Sequence, residues 1–278
     1  MKRALLINGL DPSPNTGIVL VAFVAARAGL APVTVATVVT AQNSSAFVDS
    51  MAVDTTLLRR QLESAAADGG FACAKVGAVG PADNAELIAR FLTEARVPWV
   101  VVDPVLRSSS GGSLLDGPVS GIESLLRCAH LITPNAEEAA LLLDCGVHND
   151  AAAAVGERPV AAHGDVSAAV SDVAVALTSW LGTAVLVTGA RHGDGAEDVL
   201  AVGASVLSLS HALVEAAGDP RGTGCAFATS IAVRLSDGLA LPEAVRSAQT
   251  DLLGMLEGTV AVGGGRRQFD LARMTRPE

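Results

Sequence analysis

The sequence predicts an α/β fold, with a mostly parallel central sheet and helices on both faces, in a single domain spanning residues 1–278. Three observations predict it. Short β-rich runs alternate with helical patterns along most of the chain. The chain has 278 residues, of which 50% are hydrophobic, enough to bury one large core. The residues directly after the strand-like runs are small or polar. Open sheets of this kind bind ligands beyond the carboxyl ends of their strands, so these residues form a candidate crevice.

The first strand is Ala4–Gly9, an apolar run that gives way to the loop Asp11 to Gly17. Val33–Thr40 is rich in β-branched residues and ends at Thr40-Ala41-Gln42-Asn43-Ser44. Thr55–Ala67 reads as a helix, then Ala72–Val76 as a strand that stops at Gly77. Ala85–Ala95 is helical, and the apolar strand Trp99–Val102 runs into Asp103-Pro104-Val105. Leu131–Thr133 leads through Pro134 and Asn135 into the helix Ala136–Leu143. Residues 144–165 have weak periodicity and read as a surface excursion. Val166–Leu181 is helical, and Ala184–Thr188 is a strand that ends at Gly189-Ala190-Arg191. The helices Cys225–Leu235 and Pro242–Leu256 complete the pattern. No low-complexity linker or internal repeat divides the chain.

The formal net charge of −10 argues against nucleic acid or an anionic membrane as the main partner. A small anionic substrate then needs a local positive site. No apolar run reaches the ~20 residues of a membrane span without breaks. Met1-Lys2-Arg3 passes straight into a strand, without a signal-peptide layout. Cys73, Cys128, Cys145 and Cys225 show neither CxxC pairing nor zinc spacing, which predicts reduced thiols in a cytoplasmic protein.

Gly222-Thr223-Gly224-Cys225 is the most informative stretch. A glycine-rich turn that opens a helix leaves N–H groups unpaired at the positive end of the helix dipole, which makes an anion site. Cysteine is often a buried filler, but at a helix start the same field favours the thiolate. Asn135 and Glu138 have capping-box spacing, and the same oxygens suit a hydrated Mg²⁺. Asp103 at a strand end either caps the next turn or serves that metal. Thr188 to Arg191 reads as a plain turn or a nucleotide contact, with His192 beside it. There is no GxxxxGK[ST] and no GxGxxG after the first strand, so phosphate handling is not of the Walker type and a dinucleotide oxidoreductase is disfavoured.

Together the segments Ile7–Gly17, Thr40–Ser44 (TAQNS), Lys75–Gly77, Val101–Leu115, Leu131–Leu142 (LITPNAEEAALL) and Gly222–Cys225 resemble the hydroxymethylpyrimidine/phosphomethylpyrimidine kinases of the ribokinase-like superfamily. Sugar kinases of that superfamily usually carry Asp where this chain has Cys225, so the cysteine points to the pyrimidine and pyridoxal branch. The resemblance implies a ribokinase-like fold and transfer of phosphate from ATP, with Mg²⁺, to 4-amino-5-hydroxymethyl-2-methylpyrimidine and to its monophosphate. It implies a homodimer. By the same resemblance Cys225 is the base, and Gly222, Thr223 and Gly224 form the anion hole. Gln42 hydrogen-bonds the pyrimidine, and Gly9 and Val105 line the ring pocket. Asp103, Asn135 and Glu138 serve Mg²⁺ and the triphosphate, and Thr188 and Gly189 the nucleotide.

The chain departs from the family pattern mostly on the substrate side. Val21 stands where an aspartate is expected to face the substrate, and Ala78 where a methionine closes the pocket floor. Two family lysines are missing, at Ser108 to Gly111 and at Thr188 to Arg191, with Arg107 and Arg191 near by as replacements. These changes imply a shifted substrate preference or reduced activity. Pyridoxal or pyridoxine kinase activity and a non-catalytic ligand-binding role are the competing expectations.

Overall fold

The computed structural model describes residues 1–108, 111–147, 166–192, 195–214 and 220–274. The sequence folds into β1 (Arg3–Leu10), α1 (Gly17–Arg27), β2 (Ala31–Gln42), β3 (Phe47–Ala52), α2 (Thr55–Ala67), β4 (Cys73–Val76), β5 (Gly80–Pro81), α3 (Ala82–Glu94), β6 (Val100–Val102), β7 (Leu115–Asp116) and α4 (Glu123–Cys128). Then come β8 (Leu131–Ile132), α5 (Ala136–Val147), α6 (Val166–Leu181), β9 (Ala184–His192), β10 (Gly195–Val202), β11 (Ser205–Ala212), α7 (Thr223–Ser236), α8 (Leu241–Leu256), β12 (Thr259–Val260), β13 (Gln268–Phe269) and α9 (Leu271–Met274).

The main sheet has nine strands in the order β11-β10-β9-β8-β6-β4-β1-β2-β3. The pairs from β2 through β1, β4, β6 and β8 to β9 are parallel. β3, β10 and β11 are antiparallel additions at the two ends. The chain moves from β1 to β2 on one side and from β4 onward on the other, so the strand order reverses between β1 and β4. Crevices form at such a reversal.

The pleat divides the apolar residues of the central strands between two faces. Leu5, Ile7, Ala74, Val76, Val100, Val102 and Val185 pack under α2 to α6, through side chains such as Leu58, Ile88, Leu125, Leu142 and Leu177. Ala4, Leu6, Cys73, Val101, Leu131 and Leu186 pack under α1, α7 and α8, through Val21, Phe227, Ile231 and Val245. Helices therefore cover both faces, as expected.

The sequence reading did not contain α1, β3, α4, the β10–β11 hairpin or the short elements β5, β7, β12, β13 and α9. The expected helix at Ala85 starts three residues earlier, and the one at Cys225 starts at Thr223. Of the expected surface excursion, residues 144–147 continue α5, and 148–165 lie outside the described residues. No described helix is long and apolar enough to cross a membrane.

Candidate active site

The carboxyl ends of the strands border a cavity of about 570 Å³, reached by Asn8 and Gly9 from β1, Gln42 from β2, and the loops after β4, β6 and β8. A second cavity of about 400 Å³ lies beside it, between β9–β11 and α7–α8. Thr223 and Gly224 border both, so the start of α7 stands at their junction.

That start has the geometry the anion site was expected to need. Gly222 precedes α7 with φ of 84°, in the left-handed region that glycine adopts without strain. A Cβ there would overlap the Asn15 carbonyl oxygen and a methyl of Leu20. Among the described residues no side chain caps the helix, and its first internal bond runs from Ala226 N to Gly222 O at 2.9 Å. The N–H groups of the turn before it are thus left for a ligand.

Cys225 sits in this first turn above a buried polar cluster. Its Sγ lies 3.3 Å from Asp103 Oδ2, 3.5 Å from Lys75 Nζ and 3.8 Å from Asn8 Nδ2. Lys75 and Asp103 form an ion pair at 3.0 Å, with side chains 0% and 7% exposed. Burial pulls the Lys75 ammonium down, but Asp103 and then Cys225 outweigh it and hold it above the usual lysine value. Gly77 is glycine because any side chain would strike Lys75 and Asn8.

The expected thiolate is overturned. Burial is the largest effect on Cys225, and with Asp103 it pushes the thiol up to about 11 despite the Lys75 charge. The sulfur is protonated at neutral pH and donates to Asp103 Oδ2.

Of the residues expected to meet the substrate, Gly9, Gln42, Ala78 and Val105 all line the larger cavity. Val21 does not. It is fully buried on the inner face of α1, packed with Ala4, Leu6, Ala25 and Phe227. A carboxylate at position 21 would point into the core, so its absence removes nothing from the cavity of this chain. A carboxylate that does border this cavity near Gly9 and Gln42 is Asp11, 3.2 Å from Arg221 Nη2, with Asp11 and Arg221 side chains 2% and 1% exposed.

Asn135 and Glu138 form the expected capping box. Glu138 N donates to Asn135 Oδ1 at 2.9 Å, and Asn135 N donates to Glu138 Oε2 at 3.0 Å. Burial, then the Asp103 charge, raises the Glu138 carboxyl to about 8. Both residues border the larger cavity, as does Thr133, whose buried hydroxyl has no partner among the described residues. Two carboxylates that repel one another beside an orphan hydroxyl fit a hydrated Mg²⁺, which takes oxygen ligands and keeps several waters.

Thr188 borders both cavities, and Gly189 and Arg191 border the smaller one. Gly189 N–H is already committed to Asp198 Oδ1 at 2.8 Å, so Gly189 offers a ligand its bare backbone surface. Asp198 is held in turn by Gln249 Nε2 at 2.9 Å. His192 ends β9, and its side chain lies outside the described residues. Arg107 lines the larger cavity; Ser109 and Ser110 are outside the described residues.

Sequence reasoning placed Asp11 and Lys75 on the strand-end rim without giving them a role, and missed Asn8 and Arg221 as site residues. For Asn8 and Lys75 a signal existed: each is a polar residue inside an otherwise apolar strand.

Comparison with known proteins shows the family and the fold. The chain is 30% identical to the hydroxymethylpyrimidine/phosphomethylpyrimidine kinase of Streptomyces coelicolor, covering 94% of this chain and 91% of the relative. It is 29% identical to the enzyme of that name from Rhizobium meliloti, covering 95% and 94%. Among solved structures, the ADP complex of Bacillus subtilis pyridoxal kinase superposes with a TM-score of 0.82 at 22% identity, covering 99% of this chain and 98% of that one. Phosphomethylpyrimidine kinase from Clostridium difficile 630 superposes with a TM-score of 0.70 at 25% identity, covering 91% and 99%. The fold is ribokinase-like. The family model for phosphomethylpyrimidine kinase matches residues 23–270, and with this cysteine-bearing helix start the chain belongs to that family of ATP-dependent phosphotransferases.

Proposed function

We propose that this protein phosphorylates the hydroxymethyl group of 4-amino-5-hydroxymethyl-2-methylpyrimidine and then the resulting monophosphate, using ATP and Mg²⁺. The observation that carries the reading is the uncapped start of α7, with Cys225 in its first turn, at the junction of two cavities. The larger cavity takes the acceptor and the smaller takes the nucleoside of ATP. The phosphoryl group in transit then lies against the backbone N–H groups after Gly222. Phosphoryl transfer is loose, so alignment and charge stabilisation carry most of the catalysis.

Cys225 receives the acceptor's hydroxyl proton while passing its own to Asp103, the carboxylate it already contacts. Lys75 keeps Asp103 in place for this exchange. Asp103, Thr133 and Glu138 would hold Mg²⁺, largely through water, and Asn135 fixes Glu138 through the capping box. Bound there, the ion neutralises charge on the phosphates of ATP. Thr188, Gly189 and Arg191 line the nucleotide side.

We read the chain as a single domain, 1–278, acting as a cytoplasmic homodimer. The four free cysteines support the compartment. Val48 and Met51, each 72% exposed on the edge strand β3, support self-association. Light scattering tests the oligomer, and a monomer at micromolar concentration rejects it.

A coupled ADP-release assay on the pyrimidine alcohol, its monophosphate and pyridoxal tests the activity. Turnover of the first two is expected. Exclusive turnover of pyridoxal, or tight binding of a panel member without any ADP release, rejects the reading.

A further inference from the structure

The carboxamide of Gln42, on the wall of the acceptor cavity, is held from three sides. Ser108 Oγ donates to Oε1 at 2.7 Å, and Arg221 Nη2 donates to the same oxygen at 3.0 Å. Gln42 Nε2 donates to Thr40 Oγ1 at 3.2 Å. A guanidinium carries N–H donors and no acceptor. The Gln42 atom beside Arg221 is therefore the oxygen, and the flip that leaves most amides ambiguous is closed. Both lone pairs of Oε1 are engaged. One Nε2 hydrogen goes to Thr40, and among the described residues the other has no protein partner. Gln42 thus offers the cavity one N–H donor and no acceptor.

Arg221 is itself firmly placed. It is 1% exposed and ties together three segments distant in sequence. Nη2 contacts Asp11, 210 positions away, and Nη1 donates to Asn43 O at 2.5 Å. Its backbone N donates to Arg267 O at 3.1 Å. It is also the residue directly before Gly222.

We propose that Arg221 is a specificity-determining positioning residue, which clamps Gln42 with its nitrogen toward the cavity. The acceptor pocket then selects aromatic rings that present a lone pair at Gln42, as a ring nitrogen does, and gains nothing from an amino group there. A ring C–H in that place strands the Gln42 N–H without a partner, and an amino group meets a donor with a donor. The inference rests on the acceptor-cavity reading above and narrows it to a feature of the ring.

The test uses the full chain, ATP, Mg²⁺ and four acceptors. These are 4-amino-5-hydroxymethyl-2-methylpyrimidine, its two analogues with ring N1 or N3 replaced by C–H, and the analogue lacking the amino group. Replacing one of the ring nitrogens lowers kcat/KM by about 10–100-fold, the usual cost of leaving a buried donor unpaired. Removing the amino group changes it by less than about threefold. In the Asp11→Asn/Arg221→Met variant no charge is stranded and the Gln42 amide is free to turn. The two losses there converge.

A uniform fall on all four compounds in the variant makes Arg221 a scaffold residue and overturns the proposal. Equal losses from ring nitrogen and amino group in the unaltered protein overturn it without any variant. Calorimetric Kd values for the same compounds separate this inference from the kinase reading. Binding with the ring-nitrogen preference but no phosphorylation rejects the kinase reading alone. Turnover without the preference rejects the clamp alone, and failure to bind any of the four rejects both.

Discussion

Replacing Lys75 with methionine keeps most of the side-chain volume and deletes one charge from beneath the anion hole. At the observed 3.0 Å separation, an effective dielectric near 20 gives an attraction of about 5–6 kcal/mol between Lys75 and Asp103. Little of that is net gain, because both charges were taken from water. The loss on breaking the pair is nevertheless large, since Asp103 stays buried without its cation, and such changes cost about 3–5 kcal/mol. Lys75→Met should therefore lose about 3–5 kcal/mol in urea unfolding at pH 7. Lys75→Met/Asp103→Leu strands no charge and should return to within about 1–2 kcal/mol of the parent. The sign with pH follows from the raised Lys75 value: the folded state holds this proton more tightly than the unfolded chain. Its contribution is present below the usual lysine value and fades as the pH climbs through the raised one. The gap between parent and Lys75→Met should thus stay flat from about pH 6 to 9. A single variant within about 1 kcal/mol of the parent, or a double variant as unstable as the single, refutes the argument that burial makes this pair indispensable.

Three further outcomes follow from the site. Cys225→Ala should lower kcat by about 10²–10⁴-fold while ATP still binds by calorimetry, and unchanged turnover removes Cys225 from the proton path. Gly222→Ala should cost about 1–3 kcal/mol in thermal unfolding and depress kcat, because the new Cβ meets the Asn15 carbonyl; normal kcat would show that the turn is not the phosphate cradle. Glu138 has a carboxyl raised from 4.5 to about 8, so the folded state binds the extra proton and stability falls as pH rises across that window. Glu138→Gln should flatten that slope, worth a few kcal/mol in urea midpoints between pH 4.5 and 8.5, while retaining the cap; parallel slopes would place the titration elsewhere.

The parts of the fold legible in the sequence were those with a local signal. Thr55–Ala67 and Val166–Leu181 match α2 and α6 residue for residue, because each is long and flanked by polar or glycine turns. The capping box at Asn135 was legible because its bonds span three positions. Helix α1 gave no periodic signal: GIVLVAFVAAR is apolar nearly all round, so no polar stripe marks it as a helix. Strand β10 was hidden by Glu197 and Asp198, two adjacent acids that are both buried. The wrong role for Val21 had the same root. Its role was carried over from the family pattern with no element assigned to Gly17–Arg27, whereas helix α1 turns Val21 away from the crevice and into the core. Asp11 and Arg221 share an ion pair across 210 positions, and only the fold brings them together.

The corrected state of Cys225 makes better physical sense of the anion hole than a thiolate does. A helix dipole stabilises a negative charge at its start by about 0.3–2 kcal/mol. The rise of the thiol from 9.0 to about 11 corresponds to roughly 3 kcal/mol the other way, led by burial, so burial wins. A thiolate in the first turn of α7 would itself occupy the positive potential of that turn and repel the triphosphate from it. With the proton on sulfur, the potential is left for the phosphate. The buried Asp103 charge, already balanced by Lys75, adds no competing anion either. The field of α7 is therefore kept for the moment when negative charge arrives from outside, in a protein whose own net charge of −10 would otherwise disfavour it.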